Sequence, residues 1–199
     1  MIEIILFAED VAHEQFLAAL LHRIGEDNGI AVSVRPRSVR GGRGRVVAEL
    51  RVYLRGLQRG DEPPPDLLVV ATDANCKTVA ARRRELDDAL EGFRSLIPAE
   101  RVVYAIPDPH VERWLLLDSA AFRSAVGKGC QAPDFKCERD RYKRLLADAV
   151  RDAGLTPILG GIEHTEDIVR AMDLPGVQDR SLRALLDDVL GALKRASQT

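Results

Sequence analysis

The sequence predicts an α/β fold with a four-stranded, mainly parallel sheet, helices on both faces, and a helical extension after the last strand. Short apolar runs of strand length alternate with segments of helical apolar spacing, and this alternation is typical of a doubly wound sheet. The chain has 199 residues, 46% hydrophobic and 30% charged, enough for one domain with a sizeable core. That composition excludes collagen-like, disordered and membrane-spanning classes. We expect a core over residues 1–118 and a helical extension over 119–199 packed against it.

The first half of the predicted core is two strand and helix pairs. Residues 2–8 are a continuous apolar run, as in a strand buried on both faces. Apolar residues at helical spacing then continue to Ile24, and a second strand is expected over 30–34. Residues 35–45 contain three glycines and a proline without any apolar period, which predicts an exposed, mobile basic loop. A helix over 46–57 follows.

The second half continues the same alternation. Residues 66–72 form a third buried strand that ends in Asp73, and a charged amphipathic helix is expected over 78–93. A fourth strand over 101–106 leads to a short helix over 110–118. Four further helices are predicted in the extension, at 119–126, 138–153, 163–172 and 179–195.

Charge is distributed unevenly along the chain. Residues 35–59 contain eight arginines and one acid, a local charge of +7 in a chain of net charge −2. A basic stripe on an acidic body indicates a surface that faces a polyanion, although a solvated face explains it equally well. The residues predicted to hold a nucleic-acid backbone are Arg40, Arg43, Arg45, Arg51, Arg55 and Arg59.

Cysteine usage and the N-terminus indicate the compartment. The three cysteines, at 76, 130 and 137, contain no C-x-x-C pair and predict free thiols. The chain opens without a basic segment followed by an apolar run, so we expect no signal peptide and a cytoplasmic protein with no membrane contact.

Acidic side chains follow three of the predicted strands. Glu9 follows the first strand, Asp73 and Asn75 follow the third, and His110 and Glu112 follow the fourth. Ligands of open parallel sheets bind beyond the carboxyl ends of the strands. If the strand order is 2-1-3-4, these groups come close enough to share one Mg²⁺ or Mn²⁺ ion, with the Asn75 oxygen as a neutral ligand. The same acids also suit solvated turns and helix N-caps.

Three segments resemble the Toprim family. Residues 9–16, EDVAHEQF, resemble its opening E-G-x-T-E-x-x-F, and residues 73–75, DAN, resemble its D-x-D. The string from Glu112 to Asp118, preceded by Ile106-Pro107, resembles the E-x-W-L-L-x-D segment of a small Toprim-like family linked to anti-phage defence. The similarity covers residues 2–118, and Asp10 and Asn75 depart from the family pattern, which has Gly and Asp at those positions.

The resemblance implies a magnesium-dependent nuclease with a catalytic core like that of the OLD nucleases. It implies that Glu9 is the general acid or base, that Asp73 and Asn75 hold the metal, and that Glu112 is a further catalytic ligand. It also implies an ABC-type ATPase partner, which would be a separate chain because no G-x-x-x-x-G-K-[ST] motif is present here. Oligomer formation stays open.

Two other functions are compatible with the same residues. The first is a degenerate Toprim subunit that has lost catalysis and binds nucleic acid or an ATPase. The second is a phosphoacceptor domain of the receiver type, since Glu9, Asp10 and Asp73 mimic its acidic pair and strand-end aspartate. His110 is the one histidine whose position near Glu112 indicates a role at the site.

Overall fold

The protein is an α/β structure built on one parallel sheet. The computed structural model describes residues 1–38, 42–75 and 77–198. The strands are β1 (Ile2–Ala8), β2 (Val32–Ser38), β3 (Leu67–Ala71) and β4 (Val102–Ala105). Their order is β2-β1-β3-β4 and every neighbouring pair is parallel. The predicted fold class and the 2-1-3-4 order are therefore confirmed.

Helices connect the strands and continue after them. Those between the strands are α1 (Val11–Asp27), α2 (Arg43–Arg59) and α3 (Val79–Leu90). Those after β4 are α4 (Val111–Leu115), α5 (Ser119–Val126), α6 (Arg141–Asp152), α7 (Thr165–Ala171) and α8 (Arg180–Ala196). All the predicted helices are present in the described residues, with bounds that differ by a few residues.

Side chains that alternate along the strands divide the core into two layers. Ile4 and Leu6 of β1 point to a large cluster shared with α1 and α4 to α8, whereas Ile5 and Phe7 point to a smaller cluster shared with α2 and α3. Because both faces are covered, the three strands β1, β3 and β4 are predominantly apolar. Helices α7 and α8 belong to the larger cluster, so the extension completes one face of the sheet. The boundary at residue 118 stays a prediction.

The basic loop predicted over 35–45 is wrong over most of its length. β2 extends to Ser38, because its backbone pairs with β1 across seven residues, from Ile2 opposite Val32 to Ala8 opposite Ser38. Pro36 is tolerated because β2 is an edge strand, where a missing N–H need not break a ladder. Helix α2 already begins at Arg43. Residues 39–41 lie outside the described residues.

The expectation of three free thiols is also wrong. Cys137 is disulfide-bonded, whereas Cys130 is free. Burial raises the pKa of the Cys130 thiol to about 11, so this thiol is unreactive at neutral pH. Cys76 lies outside the described residues. Spacing along the chain does not reveal which cysteines meet in space, which is why the sequence missed the bond. In the described part of the chain, no helix is both long and apolar enough to cross a bilayer.

Candidate functional site

The predicted acids meet in one cavity at the carboxyl edge of the sheet. The cavity has a volume of about 380 Å³ and contains Glu9, Asp10, Asp73, Asn75 and Glu112 in its wall. The remaining wall residues are His110, Arg139, Asp140, Tyr142 and Lys143. The strand order produces this arrangement, since β1 and β3 are neighbours and β4 pairs with β3. The roles of the acids stay predictions.

Asp73 is the centre of the site's hydrogen-bond network. Its Oδ1 accepts the Val111 N–H at 3.0 Å and its Oδ2 lies 2.8 Å from Nδ1 of His110. Its Oδ1 also lies 3.0 Å from Nε2 of His13. Burial by itself would raise the pKa of Asp73, but the two histidines outweigh it and lower that pKa. Asp73 is therefore an ionised carboxylate with both oxygens in contact with protein donors.

His13 is a fully buried imidazole between two carboxylates. Its Nδ1 lies 2.8 Å from Oδ1 of Asp10, opposite the Nε2 contact with Asp73. The Nε2 N–H is not aligned with Asp73 Oδ1, so that contact is an ion pair rather than a directed hydrogen bond. Burial opposes the charged form, yet the two acids raise the pKa of His13 well above its usual value. The two flanking carboxylates therefore favour the imidazolium form of His13, whose positive charge offsets part of the negative charge of the cavity.

Asp10 has a structural role at the start of α1. It is the N-cap of α1 and its Oδ1 accepts the His13 N–H at 3.1 Å. Its backbone is extended, with φ of −157°, so the position does not require glycine. The hydrogen bond and charge of His13 outweigh burial and lower the pKa of Asp10.

His110 has the geometry of a proton-transfer group held by a carboxylate. The hydrogen bond that His110 Nδ1 donates to the Asp73 carboxylate is the main cause of the raised pKa of His110. Its ring packs near the ring of Tyr142, with 6.0 Å between the centroids. Among the described residues, none hydrogen-bonds to Nε2, which leaves this nitrogen available at the cavity wall. The Asp73 contact fixes which ring nitrogen is used.

Glu9 and Glu112 are the carboxylates with free coordinating capacity. Glu9 Oε2 accepts the Asp73 N–H at 3.2 Å. Glu112 is 2% exposed, and its buried Oε2 has no hydrogen-bond partner in the described structure. Burial first, and then the charge of Asp73, raises the pKa of each of these two carboxyl groups. Two desolvated carboxylates beside a third indicate a site that favours positive charge.

The turn after β3 is stabilised by backbone hydrogen bonds and by the buried side chain of Arg82. Asn75 has φ of 53°, in the left-handed region where Asn is enriched, and its N–H donates to the Pro109 carbonyl at 3.0 Å. Arg82 is 2% exposed and donates from Nε to the Asp73 carbonyl at 3.0 Å and from Nη2 to the Ala74 carbonyl at 3.3 Å. The sequence did not single out Arg82, because an arginine on a charged helix usually faces solvent.

Lys143 brings a cation from the extension into the site. Its Nζ lies 3.8 Å from Oε1 of Glu112. Burial opposes the charge, but Glu112, Asp10 and Asp73 outweigh it and raise the pKa of Lys143. Lys143 also lines an adjoining cavity of about 550 Å³ with Glu9, Glu112 and Leu159. In the sequence, Tyr142 and Lys143 resemble the Toprim-like family only loosely, and the position of Lys143 beside Glu112 depends on how α6 packs against α4.

A divalent cation fits part of the predicted ligand set. In residues 1–38, 42–75 and 77–198, no group of three or more His, Cys, Asp or Glu side chains is arranged to hold a metal by itself. Mg²⁺, however, is commonly held by one or two carboxylates with waters and substrate phosphate oxygens. Glu9 and Glu112 suit that role, because Glu112 Oε2 is a buried oxygen without a partner. Asp73 does not suit direct ligation while His13 and His110 contact its oxygens.

The basic face is smaller than the sequence indicates. Arg51 and Arg55 are exposed one turn apart on α2, and neither forms an ion pair with a described residue. Arg59 pairs with Asp61 at 2.8 Å, and this ion pair offsets its contribution to the positive charge of the face. Arg45 is exposed at the start of α2, close to Gly42, which lines the 550 Å³ cavity. Arg40 lies outside the described residues, as does the side chain of Arg43.

The two remaining arginines of residues 35–59 lie on the edge strand β2 and form ion pairs there. Arg35 pairs with Glu3 at 2.9 Å. Arg37 pairs with Glu62 and lies over the Tyr53 ring, 4.6 Å from its centroid. Both positive charges are therefore locally balanced.

Comparison with known proteins adds no family assignment. No protein-family model, no curated protein and no solved structure matches the chain.

Proposed function

We propose that the protein is a magnesium-dependent phosphodiesterase that cleaves nucleic acid at the carboxyl edge of its sheet. The observation that carries the proposal is the buried Glu112 carboxylate, whose Oε2 lacks a partner in the described structure. Glu112 shares its cavity wall with Glu9, Asp73, His110 and Lys143. A desolvated acid with an unused oxygen costs stability, and a cation bound there removes that cost.

Glu9 and Glu112 hold the cation in this proposal. These two carboxylates would hold a Mg²⁺ ion that, when bound, would supply positive charge near the scissile phosphate and favour ionisation of water. The proposal is supported by the shared cavity wall of Glu9, Asp73 and Glu112, and by the charge of Asp73, which raises the pKa of both glutamates. Asn75 faces the same cavity and adds an uncharged oxygen.

In this proposal His110 exchanges a proton with the substrate or water, and Asp73 orients His110. Asp73 Oδ2 accepts a hydrogen bond from Nδ1 of His110, and this bond fixes the plane of the imidazole. The other ring nitrogen, Nε2, is then left to exchange a proton with substrate or water. His13 and Arg82 act as positioning residues, since His13 contacts the Asp73 carboxylate and Arg82 holds the Asp73 carbonyl. Asp73 is thereby assigned an orienting role in place of direct ligation.

Lys143 and the basic face of α2 bind the phosphate backbone. Lys143 is exposed beside Glu112, with its Nζ 3.8 Å from Oε1 of that residue, and contributes a positive charge at the cavity. Arg45, Arg51 and Arg55 extend the positive surface along α2, away from the Gly42 end. These exposed cations suit sequence-independent contacts with phosphates.

Only the resemblance to the Toprim family supports a proposal about the partner, the biological role and the location of the protein. They comprise an ABC-type ATPase acting with this chain, a role in antiviral defence, and a cytoplasmic location. Copurification with a coexpressed ATPase, compared between wild type and an Arg51 and Arg55 double alanine variant, tests for a partner independently of cleavage.

A second function is favoured by the contacts of Asp73. Two histidines and a backbone N–H already contact its carboxylate, and no three-residue metal cluster exists in the described chain. This arrangement suits a catalytically degenerate subunit that binds nucleic acid through α2. It disfavours a receiver-type phosphoacceptor, whose aspartate needs a free oxygen as nucleophile.

Cleavage assays distinguish these functions. Supercoiled plasmid and structured RNA are incubated with the purified chain in Mg²⁺, in Mn²⁺ and in EDTA. We expect metal-dependent cleavage that falls by about a hundredfold or more in Glu9→Gln and in Glu112→Gln. Glu26→Gln, at an exposed position of α1, is the matched control and should cleave at the wild-type rate. Cleavage in EDTA would contradict the metal mechanism, and binding without cleavage would favour the degenerate subunit.

A further inference from the structure

A rigid apolar loop stands beside the candidate active site. Six large hydrophobic residues are exposed in the described chain, and three of them are Leu155, Ile158 and Leu159. Ile158 is 81% exposed and Leu159 is 54% exposed. Clustered exposure of this kind marks a contact surface more often than isolated exposed residues do.

The side chain of Glu163 binds the backbone of the loop. Glu163 accepts the N–H groups of Ile158 at 2.7 Å, Leu159 at 3.0 Å and Gly161 at 2.9 Å. Gly161 has φ of 99°, and a Cβ at that position would lie 2.9 Å from Leu146 Cγ. The loop backbone is therefore seated tightly on α6. Leu159 is exposed on an ordered segment and not on a frayed one.

Leu159 also belongs to the wall of the cleft. It lines the cavity of about 550 Å³ together with Glu9, Glu112 and Lys143. The cleft thus joins an aliphatic wall to the acids and the lysine assigned above to cation and phosphate. Nucleotides have the matching chemistry, because each joins a phosphate to a base with apolar faces.

We infer that Leu159 packs against the face of a nucleobase next to the scissile phosphate, and so selects nucleic acid whose bases are unstacked. The inference rests on the proposed function and specifies its substrate. Aliphatic side chains act as wedges against bases in other protein–nucleic acid contacts. A stable protein partner would need roughly 1,000 Å² or more of interface, which this short loop does not supply alone.

The test distinguishes binding through the bases from binding through the sugar-phosphate backbone. Fluorescence anisotropy measures binding of the full chain to a labelled thymidine 12-mer and to an abasic deoxyribose-phosphate 12-mer, with Ca²⁺ present. We expect Leu159→Ser to weaken binding of the thymidine strand by about tenfold, the loss of one buried leucine contact, and to leave the abasic strand unchanged. Leu155→Ser, in the same loop but not in the cavity wall, should change neither affinity.

Each alternative outcome overturns the inference in an identifiable way. If Leu159→Ser weakens both strands equally, or neither, then Leu159 does not contact a base even though the proposed function can stand. If light scattering shows a wild-type dimer that Ile158→Ser dissociates, the loop joins two copies of the chain instead. If the wild-type chain binds neither strand and cleaves no substrate, the proposed function fails and the inference fails with it. Thermal unfolding of each variant confirms that the fold is retained.

Discussion

Replacing Glu112 by Gln should stabilise the metal-free protein while it removes activity. Glu112 is 2% exposed, its Oε2 has no partner in the described structure, and the charge of Asp73 opposes its ionisation. An unsatisfied buried polar group costs about 1–3 kcal/mol, and more when charged. The compensating ion pair is weak, because Lys143 Nζ lies 3.8 Å away on a side chain that is 55% exposed, and such pairs contribute about 0–1 kcal/mol. Because Gln leaves a polar group at the same place and removes only its charge, the net expectation is a gain of at most about 1–2 kcal/mol in the free energy of unfolding.

The pH dependence of this gain follows from the raised pKa of Glu112. A carboxyl group with a raised folded-state pKa destabilises the fold by a penalty that is absent below its ordinary pKa of 4.5, grows as the unfolded chain ionises above that pH, and is complete above the folded-state pKa. The difference between Glu112→Gln and wild type should therefore be small at pH 4 and grow as pH rises towards the folded-state pKa.

Urea unfolding in EDTA, followed by circular dichroism, measures the difference. A gain of this size corresponds to about 2–8 °C in Tm for a chain of this length. Addition of Mg²⁺ should raise the Tm of wild type and not that of Glu112→Gln. Glu26→Gln is the control and should behave as wild type in both conditions. A Glu112→Gln variant that is less stable than wild type in EDTA, or that responds equally to Mg²⁺, would refute the reasoning.

Three further outcomes are expected away from the metal ligands. Arg82→Met should lose about 2–4 kcal/mol of unfolding free energy in urea, because its buried guanidinium holds two carbonyls, whereas exposed Arg83→Met should lose less than about 1 kcal/mol. Asp179 caps α8 and its pKa is lowered by Ser181 and by its ion pair with Arg113, which outweigh burial. Its contribution is present above pH 3.8 and is lost as pH falls through the folded-state pKa, so Asp179→Ala should flatten the acid unfolding profile; an unchanged profile would refute this. Replacing Arg51 and Arg55 together by Ala should lower the log–log salt slope of oligonucleotide binding by about 2, and an unchanged slope would leave them as a solvated face.

The sheet could be predicted because each strand is marked by a short run of neighbouring apolar residues. Runs such as 2–8 are predominantly apolar, and their alternation with helical segments leaves few topologies. β2 was harder, because its arginines and Pro36 do not suit a buried strand, and only pairing with β1 reveals an edge strand there. Residues 35–38 consequently looked like a loop.

The candidate site could be located from the sequence, but its internal contacts could not. Strand ends determine where Glu9, Asp73 and Glu112 meet, and that placement follows from strand order. The contacts of His13 with Asp10 and Asp73 depend on how α1 packs beneath the turn after β3. Lys143 comes from a helix 31 positions after Glu112, and no spacing rule connects the two.

The position of a bound metal ion tests the central claim most directly. A crystal of the protein soaked in Mn²⁺, with data collected at the manganese absorption edge, locates the ion by its anomalous scattering. The account predicts one strong anomalous peak in contact with the carboxylates of Glu9 and Glu112, which is absent from crystals of Glu112→Gln. No peak in the cavity, or a peak held by other residues and retained in Glu112→Gln, would contradict it.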